Sequence, residues 1–132
     1  MSSIQELVKF TKTLKLLVVE DNEDSREQFV GMLSALFDNI DAAVDGLDGL
    51  EKFNNNSYDL IISDINMPKM NGLEMVEEIR KKDKDITIMV VSAHTEGNFR
   101  TEAEALEVNN FLFKPIDLQP LIAALTDMMQ RA

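Results

Sequence analysis

Residues 63–72 read SDINMPKMNG, and an apolar LII run precedes them, so Asp64 ends a segment with the character of a buried strand. An acid in this place is either a turn former or a carboxylate at the open end of a sheet. A second apolar run, at 14–19, ends in the same way at Glu20 and Asp21. Ligands of parallel sheets bind beyond the carboxyl ends of the strands. These two strand ends therefore decide the interpretation of both fold and site.

Short apolar runs alternate with amphipathic stretches along the whole chain. Apolar residues at spacings of three and four, such as Phe29, Met32 and Leu33, predict helices. The first helix is expected to begin at Asp24 or Ser25, either of which can cap it. The alternation predicts an α/β fold, a doubly wound parallel sheet with helices on both faces. The predicted strands lie at 14–19, 40–44, 58–63, 86–92 and 110–113.

Length and composition limit the possible functions. The 132 residues suffice for one domain with a single core, and we expect residues 1–13 to be an N-terminal extension before a domain at 14–132. A net charge of −11 opposes binding to bare nucleic acid or to an anionic membrane. The absence of cysteine excludes thiol chemistry and disulfides. No run is apolar enough for a membrane span or a secretory signal, so a cytoplasmic location is expected.

Three carboxylates, on Glu20, Asp21 and Asp64, converge if the first and third strands are neighbours. Two like charges ~4 Å apart repel by ~4 kcal/mol at an effective dielectric constant of ~20, so such a cluster takes up protons or binds a cation. Oxygen ligands without sulfur suit Mg²⁺, or Mn²⁺. Each acid alone is more simply interpreted as a helix cap or turn former. Three of them at strand ends favour the metal site.

Two further strand ends reach the same rim. The fourth strand ends in VVSAH, which places the hydroxyl of Ser92 there, and the fifth ends in FLFKP, which places Lys114 there. Lys114 is either a solvated strand end or, with Pro115 fixing the turn and admitting a cis peptide bond, a group that points inward. A metal site, a carboxylate nucleophile, a hydroxyl and an ammonium together suit phosphoryl transfer to a carboxylate.

The motifs VVEDNED, SDINMPKMNG, VVSAH and FLFKP resemble the receiver domain of response regulators in two-component signalling. The resemblance covers roughly residues 14–129 and implies a flavodoxin-like fold of the chemotaxis-regulator type. That fold has five parallel strands in the order 2-1-3-4-5 and five helices. The implied function is a switch that accepts a phosphoryl group from a histidine kinase or a histidine phosphotransfer protein. It catalyses only its own phosphorylation and dephosphorylation, so it is not otherwise an enzyme.

The same resemblance assigns roles around the metal and the phosphoryl group. Asp64 would be the phosphoacceptor, and Asp21 would bind Mg²⁺ directly while Glu20 assists through water. The backbone carbonyl of Asn66 would be a further metal ligand. Lys114 would pair with one oxygen of the phosphoryl group.

Signal output and phosphoryl lifetime depend on other positions. Ser92 would hydrogen-bond a phosphoryl oxygen and move toward it as Phe111, the switch aromatic, turns inward. This change would alter the surface of the fourth helix, fifth strand and fifth helix, and so control a downstream protein or output domain. Whether the domain also forms a homodimer is left open by the sequence. The side chain of Asn66 and the loop residue His94 are candidates for tuning dephosphorylation, although an exposed loop histidine without a role is the favoured interpretation. Glu107, with Val108, replaces the small Gly-Ala pair that is usual before the fifth strand.

Other function classes meet specific objections. A haloacid-dehalogenase-like phosphatase generally needs a second aspartate two residues after the nucleophile, where this chain has Asn66. A flavodoxin-like cofactor binder needs a phosphate-cradling loop after the first strand, but the sequence there is the acidic EDNEDS. A receiver that signals without phosphate is disfavoured because every expected site residue is present. Gly72 is expected to let the chain turn tightly into the next helix.

Overall fold

The computed structural model describes residues 4–93 and 99–132. Its centre is one five-stranded parallel sheet. The strand order is β2-β1-β3-β4-β5, which confirms the parallel sheet and the order 2-1-3-4-5. The strands are β1 (Lys15–Val19), β2 (Asn39–Ala43), β3 (Leu60–Asp64), β4 (Thr87–Ala93) and β5 (Asn110–Lys114).

Six helices lie in the described part of the chain, one more than the five that the resemblance implies. They are α1 (Ile4–Lys12), α2 (Glu23–Leu33), α3 (Gly46–Asn55), α4 (Gly72–Lys82), α5 (Phe99–Ala105) and α6 (Leu118–Arg131). The additional helix is α1, which packs against α6. Its Leu7 is only 2% exposed, and the hydroxyl of Thr11 donates to the carbonyl of Leu36 at 2.5 Å. An apolar side chain and a buried hydrogen bond therefore anchor α1 to the core, although the division of the chain after residue 13 stays a prediction.

The core has two layers, one on each face of the sheet. Because side chains alternate along a strand, Leu16 and Val18 of β1 face α1, α2 and α6. Leu17 and Val19 face the opposite way, toward α3, α4 and α5. Both faces are covered, which explains why the strands read as continuous apolar runs rather than alternating ones. Among the described residues, no helix is long and apolar enough to cross a membrane.

Two helix starts show how the chain leaves the carboxyl ends of the strands. Helix α2 is capped by Asn22, whose side-chain oxygen accepts from the backbone N–H of Ser25 at 2.9 Å. The prediction of a cap at Asp24 or Ser25 is therefore wrong by two or three residues, because Asn22 holds the last extended backbone before the helix. Helix α4 is capped by Asn71, which exchanges hydrogen bonds with Glu74. Both caps begin a helix directly behind the acidic strand ends.

The loop between α5 and β5 contains a residue other than glycine in the left-handed backbone conformation. Glu107 has φ 58°, a region that usually favours glycine. The guanidinium of Arg80, at the end of α4, donates to the carbonyls of Leu106 at 3.0 Å and of Glu107 at 2.8 Å. Burial, the largest influence, lowers the pKa of Arg80, but an arginine stays charged. Arg80 therefore holds this loop in place from a neighbouring helix.

Candidate functional site

The pairing of β1 with β3 places the acidic strand ends side by side. Val19 lies opposite Ser63, so Glu20 and Asp64 follow at the same edge of the sheet. One carboxylate oxygen from each of Glu20, Asp21 and Asp64 lies within 4.8 Å of the other two. The predicted convergence of the three acids is confirmed, and it is the only such group within residues 4–93 and 99–132.

Lys114 points into this cluster. Its Nζ atom lies 2.9 Å from Oε1 of Glu20 and 2.8 Å from Oδ2 of Asp64. The interpretation of Lys114 as a solvated strand end is therefore wrong. Burial, the largest influence, lowers the pKa of Lys114, but the hydrogen bonds and charges of Asp64 and Glu20 together outweigh it and raise that pKa. The peptide bond to Pro115 is cis, as the sequence admits.

The cluster carries more negative than positive charge. Glu20 and Asp64 are buried, with 6% and 7% exposure, whereas Asp21 is exposed. Burial first, and then the hydrogen bond and the charge of Glu20, raise the pKa of Asp21, while Lys114 opposes the shift. Three carboxylates against one ammonium leave two negative charges in surplus. The arrangement therefore favours a proton or a cation beside Asp21.

The donor set and its spacing fit a small divalent cation. Oxygens around an octahedral Mg²⁺ ion lie ~3–4 Å apart, because each bond is ~2.1 Å long. Carboxylate oxygens within 4.8 Å reach that spacing after side-chain movements of less than ~1 Å. Asn66, the predicted source of a backbone carbonyl ligand, is exposed two residues after Asp64. The residues present therefore suit Mg²⁺ or Mn²⁺, with water completing the coordination.

Backbone groups hold the acids in place. Oδ1 of Asp64 accepts from the N–H of Ile65 at 2.8 Å, and Oε2 of Glu20 accepts from the N–H of Asn22 at 3.2 Å. Arg26 of α2 donates to the backbone carbonyl of Glu20 at 2.9 Å. The carboxylates are therefore oriented before any ligand arrives, as a site built for charged chemistry requires.

The loop behind Asp64 closes tightly on it, and Gly72 makes this possible. The N–H of Gly72 donates to the carbonyl of Ile65 at 2.8 Å, and a Cβ atom at position 72 would lie 2.0 Å from the carbonyl oxygen of Asp64. No glycine within the described ranges has a positive φ; the left-handed residue of this loop is Lys69, with φ 69°. The chain turns tightly into α4 as predicted, but glycine is needed here for the close approach to Asp64 and not for a positive φ.

The remaining predicted site residues are placed less decisively. Ser92 is 1% exposed and lies one residue beyond Val91, the partner of Asp64 in the sheet register. Phe111 is partly buried, with its ring 5.3 Å from that of Phe113 and 5.6 Å from the guanidinium carbon of Arg100. His94 lies outside the described residues. The roles assigned to Ser92, Phe111, Asn66 and His94 stay predictions.

The contact of Lys114 with Glu20 joins positions 94 residues apart and confirms that both side chains reach the same rim of the sheet. One feature of the site could not be found by reading the sequence. A cavity of about 500 Å³ opens between α2 and the carboxyl ends of β1, β3 and β4. No motif signals such a cavity, because it depends on how far a helix stands from the sheet.

Comparison with known proteins gives a consistent result. Residues 16–126 match the family model of the response regulator receiver domain. The chemotaxis protein CheY of Treponema pallidum is 31% identical over 119 residues, which are 88% of this chain and 83% of that protein. The sensor protein EvgS of Escherichia coli K12 is 30% identical over 128 residues, which are 97% of this chain. The chain spans only 11% of the length of EvgS.

Solved structures show the same similarity. The N-terminal domain of an uncharacterized protein from Wolinella succinogenes superposes with a TM-score of 0.82 at 37% identity, covering 89% of this chain and 95% of that one. The response regulator TrrA of Thermotoga maritima, in complex with Mg²⁺-BeF, gives a TM-score of 0.73 at 30% identity, covering 89% and 96%. The chain therefore belongs to the response regulator receiver domain family of two-component signalling.

Proposed function

We propose that this receiver domain accepts a phosphoryl group on Asp64 in a Mg²⁺-dependent reaction. The donor is a histidine kinase or a histidine phosphotransfer protein of a two-component system. The observation that carries the proposal is the bridge of Lys114 between Glu20 and Asp64, beside the exposed acid Asp21. This arrangement supplies an oriented nucleophile, a cation that can follow the transferred charge, and ligands for a metal.

The chain's own residues account for most of the chemistry. An oxygen of Asp64 forms the new bond to phosphorus as the bond to the donor nitrogen breaks, and the N–H of Ile65 keeps the carboxylate in line. Lys114 shifts from the carboxylates toward a phosphoryl oxygen, and the hydroxyl of Ser92 donates to another. Asp21, Asp64 and the carbonyl of Asn66 would hold Mg²⁺, which would neutralise the remaining charge.

The proposed output is a change at the face formed by α5, β5 and α6. Because α1 is an additional helix, α5 and α6 are the fourth and fifth helices of the predicted fold. A phosphoryl group adds charge and hydrogen-bond acceptors beside Ser92, which biases the position of that residue. Phe111 then moves inward from its place between Arg100 and Phe113, and the altered face contacts a downstream protein or an output domain. Because Phe111 has no hydroxyl, this switch depends on packing alone. The proposed setting is the cytoplasm.

Mass spectrometry of the intact protein after incubation with acetyl phosphate and MgCl₂ tests the proposal. We expect one added phosphoryl group on the wild type, none on Asp64→Asn, and none in excess EDTA. Asp41→Asn is the matched control, because Asp41 is a hydrogen-bonded strand acid away from the site, and it should label like the wild type. Equal labelling of the wild type and Asp64→Asn would refute Asp64 as the acceptor.

We also propose that the domain turns over no external substrate. Asn66 stands where a phosphatase of the related aspartyl-phosphate class needs an acid, and an amide cannot transfer that proton. Its side chain, together with His94, instead influences how fast the phosphorylated domain loses its phosphoryl group. Incubation with p-nitrophenyl phosphate and Mg²⁺ should release no more than one equivalent of nitrophenol. Multiple turnovers would favour the phosphatase class.

A further inference from the structure

The cavity between α2 and the sheet has two chemically different parts. Its walls are apolar and are formed mainly by Phe29, Met32, Ile62, Val91 and Ile116. At its other end lie the polar side chains of the acidic site, which stand within hydrogen-bond distance of one another. The volume of about 500 Å³ is in the range of small-molecule sites in proteins.

The phosphoryl chemistry leaves this space unexplained. A hydrated Mg²⁺ ion and a phosphoryl group are small and polar, and both belong at the carboxylates. Neither one would contact Phe29, Met32 or Ile116, which lie on α2 and on the segment after Pro115. An apolar surface of this kind gains free energy when it is removed from water. The cavity therefore suits a ligand that has an apolar body.

Charge at the polar end selects the sign of that ligand. Glu20 and Asp64, which line the cavity, carry two negative charges against the one positive charge of Lys114, and Asp21 adds a third negative charge beside them. Within the described ranges, no basic side chain other than Lys114 forms an ion pair with these acids. An anionic ligand would meet repulsion there, whereas a cationic head group would lower the repulsion among the carboxylates.

We propose that the cavity binds a small organic cation, with an amidinium or ammonium head at Glu20 and Asp64 and an apolar body between α2 and the sheet. The binding itself is independent of phosphorylation, and its regulatory consequence rests on the proposed function. A bound head group occupies the approach to Asp64 and opposes the binding of a divalent metal to the same carboxylates. Such a ligand would slow phosphoryl transfer.

Three probes of nearly the same shape test the binding: benzamidine (a cation), benzamide (neutral) and benzoate (an anion). Each is titrated into the full chain in EDTA, and the backbone amide resonances are followed by NMR. We expect benzamidine to bind with a Kd about tenfold or more below that of benzamide, with benzoate weaker still. The largest shifts should fall around Met32 and Val91. Equal affinities, no saturable binding, or shifts confined to another surface would overturn the proposal.

A pair of methionine variants tests the location. Met32 and Met129 are both partly buried on the same core cluster, but only Met32 lines the cavity. Met32→Trp should weaken benzamidine binding about tenfold, because the indole fills the space, and Met129→Trp should leave it unchanged. Equal binding by the two variants would contradict this location. If Met32→Trp does not fold, Glu20→Gln serves instead: it should bring the Kd of benzamidine close to that of benzamide, and an unaltered difference between them would overturn the proposed head-group contact.

The regulatory consequence has a separate readout. Benzamidine should lower the rate at which acetyl phosphate labels Asp64, and benzamide at the same concentration should lower it less. Labelling that is unaffected at saturating benzamidine would overturn the regulatory claim. If no labelling occurs under any condition, the proposed phosphoryl function fails, while the titrations still decide whether the cavity binds cations.

Discussion

The acidic side chains at the two ends of the sheet differ in how they are partnered. Toward the amino ends of the strands, acids meet individual partners: Asp38 lies 3.0 Å from Lys12, and Asp41 accepts from the hydroxyl of Tyr58 at 2.6 Å. The hydrogen bond to Asp41 also helps burial, the larger cause, to raise the pKa of Tyr58. At the carboxyl ends of β1 and β3, three acids cluster together, and Lys114 forms ion pairs with two of them, Glu20 and Asp64.

This difference separates stability from function. Asp38 and Asp41 connect separate elements of the fold through their partners Lys12 and Tyr58. The surplus charge at the carboxyl ends works against folding unless a proton or a cation joins it. Substitutions of Asp38 or Asp41 should therefore change the free energy of unfolding but not the response to Mg²⁺, whereas substitutions in or directly against the cluster of Glu20, Asp21 and Asp64 should change that response.

The largest effect on stability is expected at α1. Leu7→Ala should lower the free energy of unfolding by ~2–5 kcal/mol, because it removes a fully buried side chain. Ile4→Ala is the control on the same helix, since Ile4 is 54% exposed, and it should change stability by less than ~0.5 kcal/mol. Urea unfolding measures both. Similar values for the two variants would show that α1 is not part of the core. Loss of stabilisation by Mg²⁺ in Leu7→Ala would contradict the separation of stability from function between the two ends of the sheet.

A smaller loss is expected at the carboxyl end, at Gly72. Gly72→Ala should lower the free energy of unfolding by ~1–3 kcal/mol, because its Cβ would overlap the carbonyl oxygen of Asp64. It should also weaken stabilisation by Mg²⁺, since the carboxylate moves with its backbone. Gly31→Ala, on α2 with nothing within 4 Å of the added Cβ, should instead raise stability by ~0.5–1 kcal/mol. Denaturant melts with and without Mg²⁺ compare the two, and a harmless Gly72→Ala would contradict the close approach.

At the amino end of β5, Glu107→Gly should raise stability. The left-handed backbone costs a residue other than glycine ~1–2 kcal/mol, and part of the gain is offset by the greater freedom of glycine in the unfolded chain. We expect a net increase of ~0.5–1 kcal/mol by thermal or urea unfolding. Glu102→Gly, inside α5, should lower stability by about the same amount. A decrease for both variants would argue against the left-handed turn.

The smallest effects concern pH and again contrast two acids. A raised pKa means that folded protein holds the proton of Asp21 more tightly than unfolded protein, so the Asp21 charge lowers stability as pH rises above ~4. Asp21→Asn should therefore raise stability at pH 7 without metal by a few tenths of a kcal/mol, given the exposure of Asp21, and should remove stabilisation by Mg²⁺.

Asp48 should behave in the reverse sense. Burial, the largest influence, raises the pKa of Asp48, but the hydrogen bonds from Lys52 and from the N–H of Val44, with the Lys52 charge, outweigh it and lower that pKa. The stability that Asp48 contributes is present above ~4 and is lost as pH falls through the lower folded-state pKa. Asp48→Asn should lower stability at pH 7 by less than ~1 kcal/mol and keep the Mg²⁺ response. Thermal melts across pH decide the signs; the same sign for both variants would contradict the contrast.

Much of the fold can be predicted from sequence because its periodicities are local. The start of β5 at Asn110 agrees with the predicted one, and the order of elements follows from the alternation. The sequence predicts only an N-terminal extension at residues 1–13, because the burial of α1 depends on α6, more than a hundred residues away. The left-handed backbone of Glu107 has no sequence signal, because glycine is the residue that usually marks such a position.

Site residues that lie at the ends of strands can be predicted from the sequence. Glu20, Asp21 and Asp64 each end or follow an apolar run, so sheet topology alone brings them together. The residues alone leave the direction of Lys114 open, because either orientation satisfies a lysine at a strand end, and only the family resemblance implies that it points inward. The close approach at Gly72 and the cavity depend on distances of a few ångströms between elements, which periodicity does not determine.

The most direct test of the central claim is to locate the phosphoryl group. Borohydride reduces an acyl phosphate on aspartate to homoserine, which survives digestion and peptide mass spectrometry. After labelling with acetyl phosphate and Mg²⁺, we expect homoserine at position 64 and unmodified acids at positions 20 and 21. Homoserine at position 21 with an intact Asp64, or a labelled protein that yields no homoserine at all, would contradict the account.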